Sequence, residues 1–444
     1  MNSTNRPFVP HAKREGQVEQ QEPHNHKKSP STPPKSIFAN RMLYLPFYVS
    51  LSTSKSSLGS RKSKSTTKRN CITFNLKIPV TAPIAIYDAP RVDNSIDAVD
   101  FVWDLQRWTA PNISDRIRGF DTIRETFTIN AQLCKPTVSV ARNLSRAGIL
   151  HIATHGPWFD KSYWDPELDP EKYSYVDAAL DAGYSVLTYD RLGMGKSSKP
   201  DAYTALQASV QMEILKELIL LARGRSGSLS TSPSSSPSFF SSTFKEIVLI
   251  GHSFGSGINM ALLQKYSTNP ALPIDAAIFT GLLVRGRNQI SGIGYVAFGL
   301  DHAGSNDPAR FADRGSGYMV QASARDVNQV FFKKGFFDPK MLEYAVHGKE
   351  TVAVGEFMSL GNVLGRPVGG FRGAALFVHG ENDFTSCVGN CTASVDIAGI
   401  REAFPDASDV SVHIQKGSGH AVTLHENARD VYDVVFDYLR RVGL

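Results

Sequence analysis

The sequence predicts a doubly wound, mostly parallel α/β sheet with a helical cap insertion and a disordered amino-terminal tail. Three observations carry this. Short apolar runs of the kind buried in parallel strands alternate with segments of helical period. Most of those runs lead into a polar or glycine-rich loop, and a stretch rich in Ser, Thr, Pro and Lys, with little to bury, precedes them all.

The tail is set at residues 1–75. Residues 1–70 hold 13 Lys/Arg against 3 Asp/Glu, whereas the remaining chain holds 35 against 39. The overall charge of +6 therefore belongs to the tail, and the body offers no basic groove for nucleic acid. The apolar run Met42 to Leu51 is about half the length needed to span a bilayer and contains Pro46, so no integral membrane span is expected. No clear signal peptide is present, and the compartment is left open between secreted and cytoplasmic.

Residues 76–122 read as an amino-terminal extension. The core follows in two parts, 123–285 and 372–444, separated by a cap at 286–371. Strands are expected at Ile123–Ala131, Ile149–Thr154, Ser185–Tyr189, Glu246–Ile250, Ala276–Leu282, Ala374–Val378 and Val410–Ile414. Helices are expected at Tyr175–Ala182, Thr204–Arg223, Gly257–Tyr266 and Asn427–Arg441, where apolar residues recur at helical spacing. Residues 224–243 form a Ser-rich surface loop. The cap should be helical around Arg310–Phe332 and Pro339–Ala345. Its aromatic and apolar residues are more than a solvent-facing insertion should hold; most should pack within the cap, and a few could line the mouth of a pocket.

In such sheets, functional groups collect beyond the carboxyl ends of the strands. The strongest motif lies there: Gly251-His252-Ser253-Phe254-Gly255, between the apolar run KEIVLI and the helical pattern SGINMALLQKY. A sharp strand-to-helix turn strains the nucleophile's backbone, and glycines two residues to either side relieve collisions with the neighbouring strand and helix. Ser253 is thereby raised above the sheet at the positive end of a helix.

A serine hydroxyl needs a base, and the base needs an orienting acid. ALFVHGENDF offers Asp383, with Glu381 as a weaker substitute. VSVHIQKGSGH then offers His420 in a glycine-bracketed loop, with His425 as runner-up. His252, His379 and His413 read as packing or local hydrogen-bonding residues. For the oxyanion, one donor should be the backbone N–H of Phe254. The other should come from the loop His155-Gly156-Pro157-Trp158; because Pro157 has no N–H, either Trp158 serves or the loop is displaced.

The segment Asp190 to Ser197 (DRLGMGKS) ends in Gly-Lys-Ser, but its glycines stand one residue apart and Pro200 follows closely. That spacing excludes a nucleotide cradle and reads as a turn bordering the pocket. Four cysteines make no disulfide framework; Cys387 and Cys391 are compatible with a small loop disulfide or with two free thiols. No metal and no cofactor is expected. Sequons occur at Asn2, Asn112, Asn143 and Asn390.

Taken together, HGPWFDKSYWD, YDRLGMGKSSKPD, GHSFGSG, HGENDF and GSGH resemble the α/β-hydrolase superfamily from about Ile123 to Leu444. Cys134-Lys135-Pro136 and Tyr163-Trp164-Asp165 are similar to a group of fungal hydrolases, extracellular or linked to secondary metabolism. The resemblance implies a metal-independent hydrolase acting through Ser253, Asp383 and His420, and the apolar cap points to a small, hydrophobic ester-like substrate. Three readings stand side by side: hydrolysis of an ester, lactone or thioester; acyl transfer or cyclisation from the same acyl-serine; and a binding protein on a degenerate hydrolase scaffold, which Pro157 keeps in play.

Overall fold

In the computed structural model, residues 69–137, 145–225, 244–284, 299–364 and 366–444 are described. Most of the tail, the run Met42 to Leu51, sequons Asn2 and Asn143, and nearly all of the Ser-rich loop lie outside them, as does the start of the cap.

Eleven strands occur among the described residues: β1 (Asn70–Tyr87), β2 (Ile117–Lys135), β3 (Ile149–Thr154), β4 (Ser185–Tyr189), β5 (Glu246–His252), β6 (Ala276–Thr280), β7 (Leu300–His302), β8 (Tyr318–Gln321), β9 (Val352–Ala353), β10 (Ala374–Gly380) and β11 (Asp409–Gln415). Eight form one sheet in the order β1-β2-β4-β3-β5-β6-β10-β11. The pairs from β4 to β11 are parallel, and β1 and β2 are added antiparallel at one edge. Every residue of β3, β4, β6 and β10 is buried, which is why these strands read as unbroken apolar runs in the sequence.

The edge hairpin corrects the expected boundary of the tail. Strand β1 begins at Asn70, inside residues 1–75, and β2 begins at Ile117 rather than Ile123. Strand β1 is half-buried and alternates over its middle: Leu76, Ile78, Val80, Ala82 and Ile84 face the core while Lys77, Thr81 and Pro83 are exposed. That two-residue period is diluted by the polar and proline residues between, so it reads as an extension. Cys71 and Cys134 stand opposite each other in register and are joined by a disulfide that ties the hairpin together.

The helices expected against the sheet run over Tyr175–Asp181, Ala208–Ala222, Phe254–Tyr266 and Ala428–Arg441. The insertion after β6 contains the helices Ala324–Phe331, Pro339–Gly348 and Val354–Leu364. It also holds a small antiparallel sheet, β7-β8-β9. Where Arg310–Phe332 was expected to be helical, β8 intervenes: its four residues are all buried, a run that periodicity alone cannot tell from a buried helical segment. Among the described residues, no helix is long and apolar enough to cross a membrane.

Candidate active site

Strand β5 ends at His252 and a helix starts at Phe254, so Ser253 alone makes the turn, with φ 53° and ψ −118°. A non-glycine residue holds such a conformation only where its surroundings impose it. The flanking glycines show how: a Cβ on Gly251 would lie 2.6 Å from the Ser256 backbone, and one on Gly255 would lie 2.3 Å from Thr154 O. The Ser253 N–H is donated to Thr280 O at 2.8 Å. Phe254 opens the helix, and the N–H at that position has no acceptor within the helix.

The acid and base loops follow the adjacent strands β10 and β11 and are joined through their backbones: Glu381 N–H donates to Gln415 O and Asn382 N–H to Ser418 O, both at 2.8 Å. Asp383 caps the short helix Phe384–Cys387 by accepting the Ser386 N–H at Oδ1, 2.8 Å. Its Oδ2 accepts the His420 Nδ1–H at 2.7 Å. Both side chains are buried. Burial pushes the Asp383 carboxyl up, but the His420 ring and the Ser386 N–H outweigh it and hold the group below its usual range.

With Nδ1 engaged, Nε2 is the nitrogen His420 has left for chemistry. The ring lies between His252, 4.8 Å away between centroids, and Phe331, 6.1 Å away. Gly281, at φ +62°, passes so close that a Cβ would sit 2.9 Å from His420 Cε1. No hydrogen bond joins Ser253 Oγ to His420; catalytic contacts of this kind often close only around bound substrate.

The competing residues are occupied elsewhere. Nε2 of His425 accepts the Gly419 N–H at 2.9 Å, so its Nδ1 carries the proton that it donates to Ala421 O at 2.8 Å. It is a buried neutral ring that holds the His420 loop. Glu381 Oε2 accepts the Gly417 N–H at 2.9 Å and braces the same loop. His413 bonds Gln415. His252 meets Thr280 Oγ1 at 3.1 Å and stacks on Tyr163 at 4.4 Å, a partner that sequence reasoning missed.

The Trp158 amide requires a correction. Expected as the second oxyanion donor, it is donated to Thr351 O at 3.2 Å, while Trp158 O accepts the Glu350 N–H at 3.0 Å. The residue turns through φ +61°, and this pairing with residues 350–351 of the insertion takes its backbone out of the site. The loop instead brings Gly156 against the elbow, where a Cβ would lie 3.2 Å from Ser253 Cβ.

The turn after β4 closes on Asp190, whose carboxylate accepts the N–H groups of Lys161 and Lys196 and the Lys161 ammonium. A phosphate would meet that buried carboxylate, in accord with the rejection of a nucleotide cradle. Arg191, also missed in the sequence, is wholly buried. It pairs with Glu356 of the insertion, donates to Gln211 at 2.7 Å and lies 4.8 Å over the Phe254 ring. Its own N–H is donated to His155 Nε2 at 2.9 Å. One residue thus ties the elbow, the His155 loop and the insertion together, through its side chain and its backbone N–H. Cys387 and Cys391 form the small loop disulfide. Asn112 and Asn390 are exposed.

A serine on a strained strand-to-helix turn, with a buried carboxylate–imidazole pair on the loops after two later strands of a mostly parallel sheet, defines the architecture of the α/β hydrolases. The family model described as "Alpha/beta hydrolase family" matches residues 150–434, and the chain belongs to that family. No curated protein matches the sequence at a significant level. Among solved structures, the chain is similar to a thermophilic esterase from Thermogutta terrifontis at 13% identity, covering 72% of this chain and 95% of that one, with a TM-score of 0.47. It is also similar to the enol-lactonase from Burkholderia xenovorans LB400 at 15% identity, covering 71% and 97%, with a TM-score of 0.44. A third is the alpha/beta hydrolase GrgF from Penicillium sp. sh18, at 17% identity, covering 71% and 94%, with a TM-score of 0.42.

Proposed function

We propose that the chain is a serine hydrolase that cleaves an ester, lactone or thioester through an acyl-Ser253 intermediate. The observation that carries this reading is the 2.7 Å contact of His420 Nδ1 with the buried Asp383 carboxylate. It fixes the tautomer whose Nε2 can accept a proton.

Ser253 Oγ attacks the carbonyl carbon as His420 Nε2 takes its proton. Asp383 stabilises the imidazolium without itself taking the proton. The oxyanion forms against the Phe254 N–H at the positive end of the helix Phe254–Tyr266. Collapse expels the alcohol or thiol, protonated by His420, and water repeats the sequence on the acyl-serine. The Trp158 amide, donated to Thr351 O, takes no part in this step.

Trp158 and Phe159 pack on Phe331, whose ring lies beside His420, and this favours a hydrophobic small molecule as substrate. Cys134-Lys135-Pro136 and Tyr163-Trp164-Asp165 support a place among fungal hydrolases of secondary metabolism. A fluorophosphonate probe tests the mechanism: it should label the folded protein once, and Ser253→Ala should abolish labelling. No labelling of folded protein, or labelling that survives the substitution, overturns the reading and leaves a binding scaffold.

A further inference from the structure

The acid loop carries a second cluster that the proposed reaction does not use. His379, near the end of β10, is fully buried, and neither of its ring nitrogens has a hydrogen-bond partner. A buried imidazole with both nitrogens unmet is costly and calls for a physical reason. Beside it, the short helices Phe384–Cys387 and Cys391–Ser394 bring in two sulfurs. The ligating atoms of His379, Cys387 and Cys391 all lie within 4.8 Å of one another, and this is the one such group among the described residues. Burial draws the His379 pKa down to about 4, so the ring is in its neutral, ligating form at ordinary pH. The sulfurs are joined, and a disulfide offers no thiolate.

We propose that reduction of Cys387–Cys391 converts this cluster into a two-thiolate, one-imidazole site for a thiophilic divalent cation such as Zn²⁺. A dithiol reductant passes two electrons and two protons to the disulfide and is itself oxidised to a cyclic disulfide, leaving two thiols. The cation then displaces both thiol protons, binds the two thiolates and takes the His379 lone pair. The Cys-x3-Cys spacing falls within that of structural zinc sites, where ligand atoms stand about 3.5 Å apart on a tetrahedron, so the group needs only a modest contraction once the sulfurs separate. Three protein ligands leave a fourth position open. The site lies on the turn that holds Asp383, whose carbonyl accepts the N–H groups of Cys387 and Gly389 at 3.1 and 3.0 Å.

The test uses the full chain, reduced with excess dithiol, freed of reductant under anaerobic conditions and titrated with Co²⁺. About one equivalent should bind with a thiolate-to-cobalt charge-transfer band that the oxidised protein lacks. His379→Gln, which leaves the cysteines in place, should weaken binding by more than about tenfold. Cys387→Ser should abolish the band while keeping Cys71–Cys134, so the second disulfide is not its source. Folded, reduced protein that binds no Co²⁺ overturns the proposal, as does equal binding by His379→Gln. Loss of the native circular dichroism spectrum on reduction overturns it too, since no folded reduced site would exist. None of these readouts depends on hydrolase activity.

Discussion

His420 Nδ1 and Asp383 Oδ2 meet at 2.7 Å across two loops that follow adjacent parallel strands, and Glu381, two residues before Asp383, faces Gly417 instead. Asp383→Asn can keep the Ser386 N–H through its amide oxygen, which turns the amide NH2 toward His420. The ring must then carry its proton on Nε2, where it cannot accept one from Ser253. We expect kcat on a p-nitrophenyl ester to fall by about 10⁴. Glu381→Gln keeps an acceptor for Gly417 and should cost less than about tenfold. Comparable losses in the two variants would show that the acid has been misassigned.

His420 and His425 should separate chemistry from stability. His420→Ala removes the proposed base and should lower the kcat of the folded fraction on the order of 10⁴–10⁶, and it also leaves the buried Asp383 carboxylate without its ring partner. His425→Ala leaves the Gly419 and Lys333 N–H groups without their acceptor, while the Ala421 carbonyl keeps the Leu424 N–H, at a cost of about 1–3 kcal/mol in urea unfolding. The folded fraction should retain most of its kcat. A kcat loss in His425→Ala matching that of His420→Ala would contradict the division.

The central sheet was legible because its strands are buried on both faces, so hydrophobicity alone marks them. Ser253 was legible because the turn dictates glycines at 251 and 255, and Asp383 and His420 because loops after consecutive strands meet. Strand β1 of the edge hairpin was not, since a half-exposed strand broken by Pro79 and Pro83 resembles a polar extension. Nor was the fate of the Trp158 amide, which depends on a partner at Thr351 from a distant insertion. Arg191 escaped for the same reason: Gln211 and Glu356 lie 20 and 165 residues away, and no local pattern announces them.

Buried histidines set the acid limit of stability. Burial lowers His151 to about 3 and His379 and His425 to about 4, and it places His155 and His252 well below the usual 6.5. Between those values and 6.5 the unfolded chain binds more protons than the native one. Native stability is therefore fully present above 6.5 and is lost as pH falls toward the folded values. Once an unfolded histidine is fully protonated, it contributes a slope of about 1.4 kcal/mol per pH unit. Asp165, Asp190 and Glu350, raised by burial from 3.8 and 4.5, act in the opposite sense and offset part of this loss. Urea unfolding from about pH 7 to about pH 5 should show a steepening loss. A flat profile would mean that these rings gain protons in the native state.

The wall beside His420 should set acyl preference. Phe331 is buried at the end of the helix Ala324–Phe331, with its ring 4.6 Å from Phe159, 6.1 Å from Trp158 and 6.1 Å from His420. An acyl chain laid along these rings leaves water one methylene at a time. Each buried methylene is worth about 0.8 kcal/mol, roughly a fourfold gain in kcat/KM. Across p-nitrophenyl esters from acetate upward, kcat/KM should therefore climb until the wall is covered. Phe331→Ala should flatten the rise while leaving kcat on acetate within about an order of magnitude, since a two-carbon acyl group gains little from the wall. A flat or falling series in the unaltered protein would place the acyl chain elsewhere.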